Sequence, residues 1–142
     1  MRRASIIPAY VDTIPDRLDE GILYVCEQYH TVAHKCCCGC GEEVVTPLTP
    51  ADWSLRKIGN VVSLTPSIGN WSFACKSHYW IRRNQVIWEG TLSQGQIDRV
   101  RARDRADKKA YIEVINRQKD QQAGPISWLT KLWQKIVRWW NS

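Results

Sequence analysis

Four cysteines fall within five consecutive positions of this chain: Cys36, Cys37, Cys38 and Cys40. Neighbouring sulfurs cannot all be bridged within disulfide geometry, and such a crowd suits a metal better. Zinc takes about four ligands in a tetrahedron from Cys thiolates and His nitrogens. Gly39 and Gly41 permit the backbone curl that alternate ligands need. Two ligand sets satisfy the spacing. One is all cysteine: Cys36, Cys38, Cys40 and the distant Cys75. The other pairs Cys37 and Cys40 as one knuckle with Cys75 and His78 as a Cys-x-x-His second half. An all-cysteine shell is closed and structural. A shell that includes His78 and keeps an open position would let Glu42 act as a general base, as in a zinc metallopeptidase. The His-Glu-x-x-His helix of such enzymes is missing, however. Cys26 lies apart and reads as a core residue of a strand.

Free thiols in this number imply a reducing compartment. The basic start, Met1 to Ser5, is followed only by Ile6-Ile7 before Pro8, too short for a secretory signal. A cytoplasmic protein is expected. No apolar run approaches the roughly 20 residues of a membrane span. At 142 residues the chain can bury one modest core.

Charge divides the chain. Residues 1–95 hold nine Lys/Arg and nine Asp/Glu, whereas residues 96–142 hold eleven and five, so the net +6 belongs to the C-terminal part. The zinc-binding part is therefore not expected to contact nucleic acid.

The front reads as short strands: Gly21–Cys26, Thr31–His34, Val44–Val45, Val61–Leu64, Tyr79–Ile81 and Gln85–Trp88, punctuated by Pro and Gly-Asn pairs. Arg83-Asn84 suits a hairpin turn. Ser93 and Gln96 match a capping box, and Ile97 to Gln122 then reads as a charged, solvated helix stopped by Gly124-Pro125. In Ile126 to Trp140, Leu129, Leu132, Trp133, Ile136 and Trp140 recur at helical spacing, with Lys131, Gln134, Lys135 and Arg138 on the other side. That amphipathic face suits docking on the chain's own domain or a copy, peripheral membrane contact by residues 126–140, or another protein. The expected fold is a mainly β small zinc-binding domain with an α-helical C-terminal extension, α+β overall. Its parts are residues 1–90, a charged helix at 91–123 and a Trp-rich cationic helix at 124–142.

Two segments carry a resemblance. The first is His34-x-Cys36-x-Cys38-Gly39-Cys40-Gly41. The second runs from Pro66-Ser67-Ile68-Gly69-Asn70-Trp71 to Cys75-Lys76-Ser77-His78-Tyr79-Trp80-Ile81. Together they resemble a family of small bacterial domains that accompany ubiquitination-like operons. Such operons encode an activating enzyme, a conjugating enzyme and a ubiquitin-like protein. The family is taken to be atypical serine deubiquitinase-type peptidases. The resemblance spans roughly residues 8–90. It implies Cys36, Cys38, Cys40 and Cys75 as the ligands of a structural zinc, with Cys37 an extra cysteine. It also implies a ubiquitin-like protein or its conjugates as substrate, and the pathway's activating and conjugating enzymes as further partners.

A serine peptidase needs a hydroxyl, a base and oxyanion donors. Ser67, read as lying on a tight turn before Gly69, supplies the hydroxyl. His78 or His34 supplies the base, and Asn70 an oxyanion donor. Glu42, Glu43 and Asp52 are unranked candidates for a third member. Ser67 reads equally as a turn-forming hydroxyl. Ser77 is a poor partner for His78, because adjacent strand residues face opposite ways. Trp53, Trp71, Trp80 and Trp88 read as core and groove walls. A non-enzymatic zinc module that binds a ubiquitin-like protein or nucleic acid is the alternative of a different class.

Overall fold

Apolar alternation builds two four-stranded sheets. The computed structural model describes residues 1–122 and 126–140. Strands β1 (Ile7–Tyr10), β2 (Ile22–Cys26), β3 (Thr31–Lys35) and β4 (Glu43–Pro47) lie side by side in that order. β1 runs parallel to β2, and the other neighbours are antiparallel. Strands β5 (Ser54–Ile58), β6 (Val61–Gly69), β7 (His78–Arg82) and β8 (Gln85–Trp88) form an antiparallel meander. The chain is mainly β with a helical C-terminal extension, as its sequence implies.

One buried cluster draws on both sheets. Leu23, Val25, Val32 and Val44 come from the first, and Val62, Leu64, Ile68, Tyr79, Ile81 and Val86 from the second. In β2 the intervening Tyr24 faces the other way, against Leu18, Ala33, Val11 and Ile14. Both faces of β2 are thus covered, which accounts for its nearly unbroken apolar run. The N-terminal segment links the sheets. Ile6 and Val86 exchange backbone bonds with Asn84 and Ala4 beside β8, and Ile7 then opens β1 in the other sheet.

Two strands lack an apolar signal in the sequence. β1 contains Pro8 and sits at a sheet edge, where a missing N–H is tolerated. β5 is a largely exposed edge strand held by its ladder with β6. Arg83 and Asn84 both take positive φ (48° and 64°), the twist that a two-residue hairpin demands.

Helix α1 spans Gln94–Gln122. Its capping box is reciprocal: Gln96 N–H donates to Ser93 Oγ at 3.4 Å, and Ser93 N–H donates to Gln96 Oε1 at 2.8 Å. Ile97 is its one buried side chain among the described residues. Gly124 and Pro125, read as the stop signal, lie outside the described residues. Helix α2 spans Ile126–Trp140. Residues Met1–Asp104 form one compact unit and Arg105–Ser142 another. Among the described residues, no helix is long and apolar enough to cross a membrane.

Candidate active site and cysteine cluster

The cysteine loop joins β3 to β4. Cys36 N–H bonds the Glu42 carbonyl at 2.8 Å, and Gly39 N–H the Cys36 carbonyl at 3.1 Å. Gly39 and Gly41 take φ of 88° and 86°, so the curl depends on glycine at both. A methyl group on Gly39 would also stand 2.8 Å from the Met1 amino nitrogen. Cys75 arrives from the loop between β6 and β7. Cys36, Cys38, Cys40 and Cys75 bring their Sγ atoms within 4.8 Å of one another, a group able to hold a metal ion.

The spacing fits a tetrahedral ion. With metal–sulfur bonds of about 2.3 Å, tetrahedral geometry sets sulfurs roughly 3.8 Å apart. The separations are 3.4 Å (Cys36–Cys38), 3.9 Å (Cys36–Cys75) and 3.8 Å (Cys40–Cys75), far beyond a disulfide bond. Burial, reinforced by hydrogen bonds with Cys40 and Cys36, pushes the Cys38 thiol up to about 12. At Cys75 burial also raises the thiol, but bonds from Ser77, Cys38 and Cys40 outweigh it and bring it to about 7. Sulfurs crowded this closely ionise together only against a cation. Cys37 stands outside the group, fully buried, its thiol pushed up to about 11 chiefly by burial.

Polar side chains back the sulfurs. Ser77 Oγ lies 2.9 Å from Cys36 Sγ and 3.2 Å from Cys75 Sγ. Asn70 Nδ2 lies 3.5 Å from Cys36 Sγ, 3.3 Å from Ser77 Oγ and 3.5 Å from the Tyr79 hydroxyl. Tyr79 accepts from Cys37 N–H at 3.4 Å and lies 2.8 Å from His34 Nε2. The other ring nitrogen, His34 Nδ1, is buried without a hydrogen-bond partner among the described residues. His34 is fully buried, and that burial lowers it to about 3, so its ring is neutral.

The opposite face of the β6–β7 pair carries different chemistry. Ile68 pairs with Tyr79 and Gly69 with His78, with a register shift between Leu64 and Ile68. Ile68 and Tyr79 point into the core, so Ser67, Gly69 and His78 share the outer face. Ser67 and His78 are thereby diagonal neighbours across the pair. Ser67 Oγ stands 2.9 Å from His78 Nε2, and both residues are half-buried. Gly69 between them has no side chain to intervene. The Trp71 indole covers Gly69 and meets the His78 ring edge-on, with centroids 5.0 Å apart. From the other side, Trp53 Nε1 donates to the Ser67 carbonyl at 3.4 Å.

These positions revise several expectations. Ser67 is not on a tight turn but within β6, where the interrupted ladder re-aims side chains and admits Pro66. His78 stands on Ser67 and not in the sulfur group. His34 meets Tyr79 instead of Ser67, because β3 turns it into the core. Asn70 is held among Cys36, Ser77 and Tyr79, its side chain turned to the sulfur face by the backbone bond from Asn70 N–H to the Ser77 carbonyl at 2.9 Å. Neither Glu42, Glu43 nor Asp52 bonds His78 Nδ1, which is buried and unpartnered among the described residues. Trp71, expected only as a core or groove wall, and Ser77, expected only as a poor partner for His78, both support the site. The Gly69-x-Trp71 spacing was the available signal for the first, and Cys75-x-Ser77 for the second.

A serine thus faces a histidine on one side of a β pair whose other side meets four clustered cysteines. The family model for the bacterial ubiquitination-like system serine protease (BubE) matches residues 10–89. The chain belongs to the BubE family. The BubE match contains all four clustered cysteines together with Ser67 and His78, and ends before α1. Comparisons with curated proteins and with solved structures find no match.

Proposed function

We propose that this chain is a serine-type peptidase that processes or deconjugates a bacterial ubiquitin-like protein. The reading rests on the 2.9 Å approach of Ser67 Oγ to His78 Nε2, inside the span matched by the BubE family. Ser67 Oγ attacks the carbonyl carbon of a peptide or isopeptide bond while His78 Nε2 takes the hydroxyl proton. The C–N bond then breaks, and His78 returns that proton to the leaving amine. Water hydrolyses the resulting ester by the same route and restores Ser67. The oxyanion falls to backbone N–H groups at the interrupted ladder around Ser67, since the Asn70 amide is engaged elsewhere.

Zinc is the ion assigned to Cys36, Cys38, Cys40 and Cys75. Bound by four thiolates, it supplies rigidity to a small domain. Cys75 and Ser77 lie in the segment that delivers His78 to β7, so fixing the sulfurs fixes the base. Trp71 packs against His78, and Trp53 holds the Ser67 backbone from the core side. The substrate proposed is the glycine-containing C-terminal tail of the ubiquitin-like protein. The activating and conjugating enzymes of the same pathway are the further partners proposed.

Cleavage of a ubiquitin-like protein carrying a C-terminal extension tests the reading. Wild type is expected to release the extension, and Ser67→Ala to lose that activity. Undiminished cleavage by Ser67→Ala overturns it.

A further inference from the structure

Helix α2 lies outside the BubE match and plays no part in the peptidase reading. Leu129, Leu132, Trp133, Ile136, Val137 and Trp140 follow i, i+3, i+4 spacing and form one apolar stripe. Every side chain from Leu129 to Trp140 is exposed, Trp133 at 72% and Trp140 at 81%. Among the described residues the stripe is left exposed. Water is a poor medium for it, so the stripe calls for an occupant.

Charge selects that occupant. Ile126–Trp140 contains Lys131, Lys135 and Arg138 on the far side of the stripe and no Asp or Glu. A second copy packed stripe to stripe would leave these cations pointing outward, with no acid in the segment to pair them. An anionic surface instead takes up the stripe and attracts the cations across about a Debye length. At 1.5 Å per residue the helix is roughly 22 Å long, short of the ~30 Å hydrocarbon core, and it is too cationic to cross it. Tryptophans on an apolar stripe settle at headgroup depth. We propose that α2 lies flat on an anionic lipid bilayer, with its stripe in the headgroup boundary and its three cations held near the anionic surface by longer-range attraction. This inference is independent of the peptidase reading.

Sedimentation of the full chain with vesicles tests it. The probes are phosphatidylcholine vesicles and mixed phosphatidylcholine–phosphatidylglycerol vesicles. Each cation near an anionic surface strengthens binding roughly fivefold, so the mixed vesicles should bind about a hundredfold tighter. Tryptophan emission should shift to the blue on binding. About 1 M salt, with a screening length of ~3 Å, should remove the difference. The triple variant Lys131→Glu, Lys135→Glu, Arg138→Glu should bind mixed vesicles no better than neutral ones, and Ile136→Asp should bind neither. Ser67→Ala should bind as wild type does, which separates this test from that of the peptidase. Absence of binding to mixed vesicles, or equal binding by the charge-reversed chain, overturns the proposal. So does a lipid-free dimer in sedimentation velocity that Ile136→Asp converts to monomer.

Discussion

A methyl group on Gly69 would fall inside the indole of Trp71. That indole is the surface against which the His78 imidazole rests, and Gly69 is the cross-strand neighbour of His78. The smallest side chain in β6 thus sets the position of the largest one beside the site. Gly69→Ala is expected to displace Trp71 and tilt His78 away from Ser67. A shift of about 1 Å costs on the order of a hundredfold in rate. Hydrolysis should therefore fall by ten- to a hundredfold while the far-ultraviolet spectrum stays unchanged. Steady-state kinetics beside circular dichroism will check this.

The sulfur group makes a prediction about stoichiometry. One zinc per chain is expected by elemental analysis. Cys38→Ser and Cys75→Ser should each lose it, and the domain should unfold, since structural zinc contributes an apparent ~10–16 kcal/mol in small zinc domains. Cys37→Ala should keep the zinc, because its thiol lies outside the group. Zinc retained by Cys75→Ser, or lost by Cys37→Ala, would show that the ligand set is a different one.

Asn70 separates structural support from catalysis. Its amide reaches Cys36, Ser77 and Tyr79 on the sulfur face. Removing it should destabilise the fold by about 1–3 kcal/mol, as for a lost buried hydrogen bond. An oxyanion donor would instead cost about 10²–10³ in kcat. Asn70→Ala is expected to lower the denaturation midpoint and to leave kcat within tenfold of wild type.

His34 follows the same logic. It is buried and neutral against Tyr79, so His34→Ala should leave the Tyr79 hydroxyl short of a partner and cost at least ~1–3 kcal/mol. The folded fraction should retain an active Ser67. By contrast, His78→Ala should lower hydrolysis by about 10²–10⁴, the usual worth of a general base.

Local chemistry was legible in the sequence where it acts over a few residues. The Ser93–Gln96 capping box forms as its spacing demands, and Arg83-Asn84 turns the hairpin. The alternating strands of the core were visible because burial on one face imposes period two. β1 and β5 were not, because an edge strand with Pro8 or with Arg56 and Lys57 carries little apolar signal. At the site, Cys37 and Cys36 could not be ranked by spacing. Adjacent residues point apart, and only the loop's path decides which one meets Cys75. The role of Asn70 was equally hidden. Proximity in sequence to Ser67 suggested a shared site, yet strand parity sends the two side chains to opposite faces of one β pair.

Activation of Ser67 by His78 can be tested without a partner protein. A fluorophosphonate probe adds its phosphonyl group to an activated serine, and intact mass reads the adduct. Wild type should gain one adduct, Ser67→Ala none, and His78→Ala none on the same timescale. An unlabelled wild type, or equal labelling of Ser67→Ala, would show that Ser67 is not an activated nucleophile.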